Sequence, residues 1–183
     1  MNFEALEFQE GQNNMGGLRT IGYYGFIADV DVSSFPELPE APLTISDAAV
    51  IAVNIVMKPG KTMFAMYGTA ETAGLNGESQ GERDGRSTKR TATWFYPTTA
   101  KKTLGAALKF QNRNMFFLFQ EHNGNYRLLG SPWFPAEVAA NDTTGTAVTD
   151  RKGVTFTITD NGFGPCPIYE GVIPCDSAFD LGI

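Results

Sequence analysis

Residues 87–130 read STKRTATWFYPTTAKKTLGAALKFQNRNMFFLFQEHNGNYRLLG and predict a strand, a short helix and a hairpin, in that order. The first ten residues, Ser87–Tyr96, alternate as a half-buried strand does, because side chains at every second position share a face. One face of that strand carries Thr88, Arg90, Ala92, Trp94 and Tyr96. One helix lying across antiparallel strands is a scaffold pattern.

Pro97 ends that strand, and Thr98 is a suitable cap for a helix over residues 98–112. Its packed side is predicted to hold Leu104, Ala107, Leu108 and Gln111. The phenylalanine-rich run 115–120 follows as an apolar strand. Asn123–Gly124 then predicts a two-residue hairpin turn into residues 126–129.

The rest of the chain is also rich in strand patterns. Residues 48–57 (AAVIAVNIVM) predict a strand buried on both faces, which returns through a turn at residues 58–61 to form a second hairpin with residues 62–67. Further strands are predicted at 20–30, 146–149 and 154–159, the last with Val154, Phe156 and Ile158 facing a core. The fold class expected is mainly β, an antiparallel β-sandwich or partly closed barrel with one flanking α-helix.

The organisation expected is an N-terminal arm over residues 1–19, a β-sandwich domain over 20–163 and an extended tail over 164–183. Residues 1–14 carry three glutamates and no basic residue, unlike a secretory signal. Residues 68–86 are rich in glycine and charge and predict a long loop. Such loops are usually functional or disordered, so residues 68–86 are a candidate assembly loop, with a mobile surface insertion as the alternative.

Charge is distributed unevenly along the chain, whose total is −6. Residues 1–77 carry −6, residues 78–113 carry +5 and residues 114–183 carry −5. This segregation suits head-to-tail assembly, in which the basic block of one copy meets acidic surface on the next, although solvated strand and helix faces give the same pattern. The residues predicted to make that contact are Asn76, Gly77, Glu78, Gln80, Glu82, Arg83, Asp84, Arg86, Lys89, Arg90, Lys101 and Lys102.

The sequence contains no combination of residues that is typical of a catalytic site. The only histidine, His122, lies in the predicted hairpin turn, so no nucleophile is expected to have a base beside it. Asp29 and Asp31 make a weak cation site without further oxygen ligands. Cys166 and Cys175 allow a disulfide, but a cytoplasmic protein more often keeps both thiols reduced. We therefore expect that the protein is not an enzyme and that it binds neither a cofactor nor a metal ion.

The order of elements resembles the major tail tube proteins of tailed bacteriophages, closest to versions from phages and prophages of Bacteroidetes-type hosts. The likeness covers residues 20–170. It is carried by the segment 78–85, the strand 87–96, the helix 98–112, the hairpin 116–130 with Ser131 and Pro132 after it, and residues 149–157.

The resemblance implies a structural virion protein, assembled in the host cytoplasm, whose hexameric rings stack into a tail tube. DNA would pass through the lumen without specific binding, and loop 68–86 would reach the neighbouring ring. The implied partners are further copies and other tail proteins, such as tape measure, terminator, baseplate and, in a contractile tail, a sheath. No membrane is implied. An acidic lumen would repel phosphate, with Asp29, Asp31, Glu121 and Glu137 as the candidates to line it.

Two other functions fit the pattern. A carbohydrate- or ligand-binding β-sandwich would use Trp94 and Trp133 as a stacking platform, which requires one of them to be exposed. A neck or tail-terminator protein would form one ring and no tube.

Overall fold

The computed structural model describes residues 2–3, 5–8, 10–12 and 14–175. Within these residues the chain forms one α-helix, α1 (Lys101–Phe110), and ten strands. The strands are β1 (Leu18–Phe26), β2 (Val50–Ile51), β3 (Phe64–Tyr67), β4 (Gly74–Gln80), β5 (Ser87–Tyr96), β6 (Met115–Glu121), β7 (Tyr126–Leu129), β8 (Glu137–Thr143), β9 (Gly153–Gly162) and β10 (Ile168–Tyr169).

The strands form two sheets that pack face to face. One has six strands in the order β2-β10-β7-β6-β1-β3, and the other has four in the order β4-β5-β9-β8. All neighbouring strands are antiparallel except β10 and β2. The rings of Trp94 and Phe119 meet between the sheets with centroids 5.0 Å apart. The sheets stay separate, so the expectation of a mainly β sandwich with one helix is confirmed.

Strand β6 has both of its faces buried. Met115, Phe117 and Phe119 enter the core between the two sheets, together with residues of β5 and β9. Phe116 and Leu118 point the other way into a second core, which the connection over residues 27–63 covers. The six-stranded sheet is therefore the middle of three layers.

The alternation predicted for the two longest strands of the smaller sheet is confirmed. Arg90, Ala92 and Trp94, which the sequence placed on one face of β5, are buried. Val154, Phe156 and Ile158 of β9 are buried in the same core, which fixes the register of the β5–β9 pair.

The predicted helix exists, but its ends were wrong, and of its predicted packed face Ala107 packs against the core while Leu104 and Leu108 are exposed. It begins at Lys101, because Thr98 Oγ1 accepts from the backbone N–H of Ala100 in the turn before it. The buried residues are Thr103 and Phe110, whereas Leu108 is 70% exposed. Small side chains let the helix approach the sheets closely, so the apolar leucines do not mark the packed side.

The second hairpin prediction was wrong. Its turn forms, with Gly60 at φ +73° and Lys61 N–H bonded to the Lys58 carbonyl at 2.9 Å. However, only Val50–Ile51 is a strand, and β3 pairs with β1. The remaining apolar residues of 48–57 belong to irregular chain that packs onto a face of the six-stranded sheet, where Ile55 is buried and Val53 is exposed.

Loop 68–86 contains a strand that the sequence did not predict. β4 pairs with β5 over seven residues, so only residues 81–86 remain as the hairpin tip. β8 extends through Asn141–Thr143, and residues 146–149, predicted as a strand, lie in the loop after it. Asn123–Gly124 lies in a four-residue loop, 122–125, rather than a two-residue turn.

Residues of the predicted arm and of the predicted tail contribute to the sheets. Leu18, placed in the arm by the sequence, is buried at the start of β1. In the tail, β10 pairs with β7 and β2, and residues 176–183 lie outside the described residues. Cys166 and Cys175 form no disulfide bond, and burial raises the pKa of the Cys166 thiol to about 12.

Gly25 and Gly105 give a matched test of this packing. A Cβ at Gly25 would lie 2.4 Å from the buried ring of Phe116, so Gly25→Ala is expected to destabilise the fold by about 1–3 kcal/mol. Gly105 has nothing within 4 Å in α1, so Gly105→Ala is expected to stabilise by about 0.5–1 kcal/mol. Chemical denaturation of both variants measures this, and an unchanged midpoint for Gly25→Ala would contradict the β1–β6 packing.

Candidate assembly surface

The four-stranded sheet has a polar outer face. Strand pairing places every second residue of its four strands there, opposite the buried set. The polar members are Asn76, Glu78, Gln80, Ser87, Lys89, Thr91, Thr93, Glu137, Asn141, Thr143, Thr155, Thr157, Thr159 and Asn161. Threonine is common because it is polar and β-branched, and so favours a strand while facing water. The face carries Glu78, Lys89 and Glu137, a net charge of −1.

The two edges of this sheet match each other. β4 and β8 are the outermost strands, both have seven residues, and neither has a strand on its outer side among the residues described. Because three antiparallel pairings separate them, β4 and β8 run in opposite directions. The edges of the other sheet are shorter, two residues in β2 and four in β3. Long free edges bind further strands readily.

The β4–β5 hairpin projects from one end of the sandwich. Residues 76–86 are all exposed, including both faces of β4 beyond Leu75. Its tip is tightly turned, with Gly81 at φ +88° and Asp84 at φ +69°. A Cβ at Gly81 would lie 2.5 Å from the Gly85 carbonyl oxygen, so glycine is needed there.

The residues predicted as one contact do not form one patch. Asn76, Gly77, Glu78 and Gln80 lie on β4, and Glu82, Arg83, Asp84 and Arg86 lie in the hairpin tip. Lys89 faces outward on β5. Lys101 and Lys102 begin α1 beyond the other end of β5, about 30 Å from the tip at the usual rise per strand residue. The structure therefore brings together the β4 and tip residues but not the two lysines of the helix.

Arg90 was wrongly predicted as a surface contact, because it is 7% exposed and paired with buried Asp160. Arg90 Nε donates to Asp160 Oδ1 at 2.7 Å, and Nη2 donates to Oδ2. The Gly130 backbone N–H also donates to Oδ2, at 2.7 Å. Burial raises the pKa of Asp160, while Arg90 and the Gly130 N–H act in the opposite direction. Gly162 leaves room for the guanidinium, since a Cβ there would lie 2.6 Å from Arg90 Cζ.

The two tryptophans have opposite environments. Trp94 is 0% exposed and its Nε1–H donates to the Tyr67 carbonyl at 2.9 Å, so it offers no platform to a ligand. Trp133 is 66% exposed, and its Nε1–H donates to Glu37 Oε1 at 2.5 Å. The sequence pattern did not distinguish this exposed tryptophan, with a carboxylate at its edge, from aromatic residues that pack in the core.

The other titratable residues that the sequence analysis considered lie in loops and turns and form no catalytic or metal-binding arrangement with one another. His122 is exposed in the β6–β7 loop. Asp29 pairs with Lys61 at 3.0 Å, and Asp31 Oδ1 accepts from the backbone and hydroxyl of Ser33 in a 3-10 turn. No group of three or more potential metal ligands is present in the described part of the chain. No helix among those residues has the length and hydropathy of a membrane span.

A scan against models of protein families finds no match to this chain. Searches of curated proteins and of solved structures find none either.

Removing Arg90 tests the buried ion pair. Arg90→Ala is expected to cost about 3–5 kcal/mol of unfolding free energy, because it leaves the Asp160 carboxylate buried without a counter-ion. The loss is expected to be smaller in mildly acidic buffer than at neutral pH, since a carboxyl whose pKa is raised in the folded state can then bind a proton.

Lys89→Ala is the matched control, since Lys89 is the exposed neighbour of Arg90, and we expect a change within about 0.5 kcal/mol. Urea denaturation of both variants measures the difference. Equal midpoints would contradict the assignment of Arg90 to the interior.

Proposed function

We propose that this protein is a self-assembling structural subunit of a bacteriophage tail tube, a virion component assembled in the host cytoplasm. The observation that carries the proposal is the pair of free, equally long, oppositely directed edges on one sheet with a polar outer face. β4 of one copy can pair with β8 of the next without disturbing the antiparallel order. Repeating that head-to-tail contact gives a closed ring with a continuous sheet.

The dimensions of such a ring suit a conduit. Four strands from each of six copies, spaced about 4.8 Å apart, close into a cylinder about 37 Å wide between backbones. A nucleic-acid duplex fits within that width once side chains are added. Three copies would give half the width, which is too narrow. The hexamer implied by the family resemblance is thus consistent with this sheet.

The outer face of the sheet would line the lumen. Its hydroxyl and amide side chains offer no basic cluster to hold phosphate, and its charge of −1 per copy is repulsive to DNA. Glu137 is the candidate lumen residue that lies on this face, whereas Asp29 and Asp31 are in the connection after β1. DNA would slide past such a surface without specific binding.

The end of the sheet that carries the hairpin tip is the surface on which a second ring would stack. Residues 81–86 extend beyond the sheet end, in the direction of the cylinder axis, and carry both signs of charge. A neck or terminator protein, which forms a single ring, would share the lateral edges but have no further ring to bind. Other tail proteins would contact the ends of the tube.

Carbohydrate binding is the second candidate, and the exposure of Trp133 favours it. The platform would rest on Trp133 alone, because Trp94 is in the core. This function requires no assembly.

Negative-stain electron microscopy of the concentrated protein is the direct test of the proposal. Tubes are expected, with a lumen along their axis. Rings without tubes would favour the neck or terminator role, and monomers at all concentrations would refute the assembly role.

A cysteine pair across the proposed edge contact tests how copies are joined. End-matched pairing brings Gln80 of one copy to Glu137 of the next, so Gln80→Cys/Glu137→Cys is expected to give a ladder of disulfide-linked oligomers ending at a closed ring. Cys175→Ser is included in every variant, and Cys166 stays inert because its thiol is buried. Denaturing gel electrophoresis counts the rungs.

Each single-cysteine variant is the control and can give at most a disulfide-linked dimer. A double variant that also stops at dimers would contradict β4–β8 pairing, even if tubes are seen by microscopy.

A further inference from the structure

An open groove of about 250 Å³ lies at the same end of the sandwich as the hairpin tip. Its walls include Pro36, Glu37, Leu38, Trp133, Phe134 and Phe163. We call it the Trp133 groove. Trp133 is 66% exposed and Phe163 is 88% exposed, which is unusual for adjoining large aromatic residues. Phe134 packs edge-on against Phe163 with ring centroids 5.3 Å apart, so these two side chains of the wall hold each other in place.

The groove has the chemistry of a guanidinium receptor. The bond from Trp133 Nε1 to Glu37 Oε1 holds the indole by its edge and leaves the ring broadly exposed. A guanidinium is attracted to an indole face and pairs with a carboxylate, and here the two groups are adjacent. Arg90 also lines the groove, but its guanidinium is paired with Asp160, and the Trp133 N–H is bonded to Glu37. An acceptor and a π face therefore remain for an incoming group.

The position of the groove decides which guanidinium reaches it. Trp133 lies in the connection that leads directly into Glu137, the first residue of β8. In the ring proposed above, the β4 strand of the neighbouring copy ends beside Glu137, and the hairpin tip of that copy follows. The tip residues 81–86 of one copy therefore arrive at the Trp133 groove of the next.

The tip supplies the complementary charge. Arg83 and Arg86 are exposed, and neither forms an ion pair in the part of the chain that the structure describes. Glu37 and Glu137 give the receiving side a negative charge, so the contact is complementary. We infer that an arginine of the hairpin tip, Arg83 or Arg86, docks in the Trp133 groove of the neighbouring copy. This inference rests on the proposed ring.

Acrylamide quenching of tryptophan fluorescence reads out the contact. Trp94 is inaccessible in the folded protein, so quenching reports on Trp133 alone. We expect strong quenching below the assembly concentration and a loss of quenching when the protein assembles. Assembled particles in which Trp133 stays fully quenchable would overturn the inference and leave the tail tube proposal standing. If no particles form, both fail.

Substitutions identify the group that covers Trp133. Arg83→Ala/Arg86→Ala is expected to raise the concentration needed for assembly roughly tenfold, the size of a partly desolvated cation–π contact, and to restore quenching in the particles that form. Arg151→Ala/Lys152→Ala is the matched control, because it removes the same charge from an exposed loop at the other end of the sheet.

A charge exchange tests the pairing directly. Glu37→Arg alone is expected to impair assembly, and Glu37→Arg combined with Arg83→Glu/Arg86→Glu is expected to restore it in part. If the tip variant and the control assemble alike, or if the exchange gives no rescue, the tip does not occupy the groove. Protection of Trp133 by an oligosaccharide in the unassembled protein would assign the groove to a glycan and overturn the inference.

Discussion

The two-sided burial of β6 is the constraint on which the rest of the structure depends. Five consecutive residues, Met115–Phe119, are 0% exposed, and they supply alternate side chains to two cores. A shift of one residue would exchange the two sets, placing Phe116 and Leu118 between the sheets, so the register of this strand positions all three layers. Each buried phenylalanine contributes about 1.5–3 kcal/mol, so the run contributes substantially to stability. The neighbouring strand supports it by having Gly22 and Gly25 where the rings of Phe119 and Phe116 need space.

The sequence correctly predicted strands whose alternating pattern reflects burial of one face. It failed where an apolar segment is buried without being a strand, or where a strand is exposed on both faces. β5 and β9 alternate because one face packs in the core, and that signal is local. Residues 48–57 are just as apolar, but they cover a sheet face as irregular chain, and composition does not distinguish the two situations. β4 was missed for the opposite reason, since most of its residues are exposed on both sides and leave no period. On α1, Thr103 and Ala106 face the core because close packing selects small residues, which a hydrophobic pattern overlooks.

The candidate surface was partly predictable for the same reason. Charge and glycine content located the hairpin tip, because exposed turns need those residues. The partner of Arg90, in contrast, lies 70 residues away in Asp160, and the partner of Trp133 lies 96 residues away in Glu37. Such pairs arise from the topology of the sheets, so a basic residue on a strand is readily mistaken for surface charge. The free edge of β8 is also a property of strand order, which single-strand patterns do not contain.

The unequal edges of the two sheets have a direct energetic consequence. A free edge of seven residues leaves about half of its backbone groups bonded to water in the monomer, and pairing two such edges exchanges those bonds for direct ones at a net gain of only about 1 kcal/mol each. A single contact of this kind is weak, and side-chain contacts at its ends must add to it. Ring closure changes this balance. The last contact joins the two ends of one assembly, so no additional copy loses its translational and rotational freedom when that contact forms. If copies pair through β4 and β8, a weak, repeated edge contact favours complete rings over short open chains, whereas the shorter edges of β2 and β3 offer fewer backbone groups for such pairing.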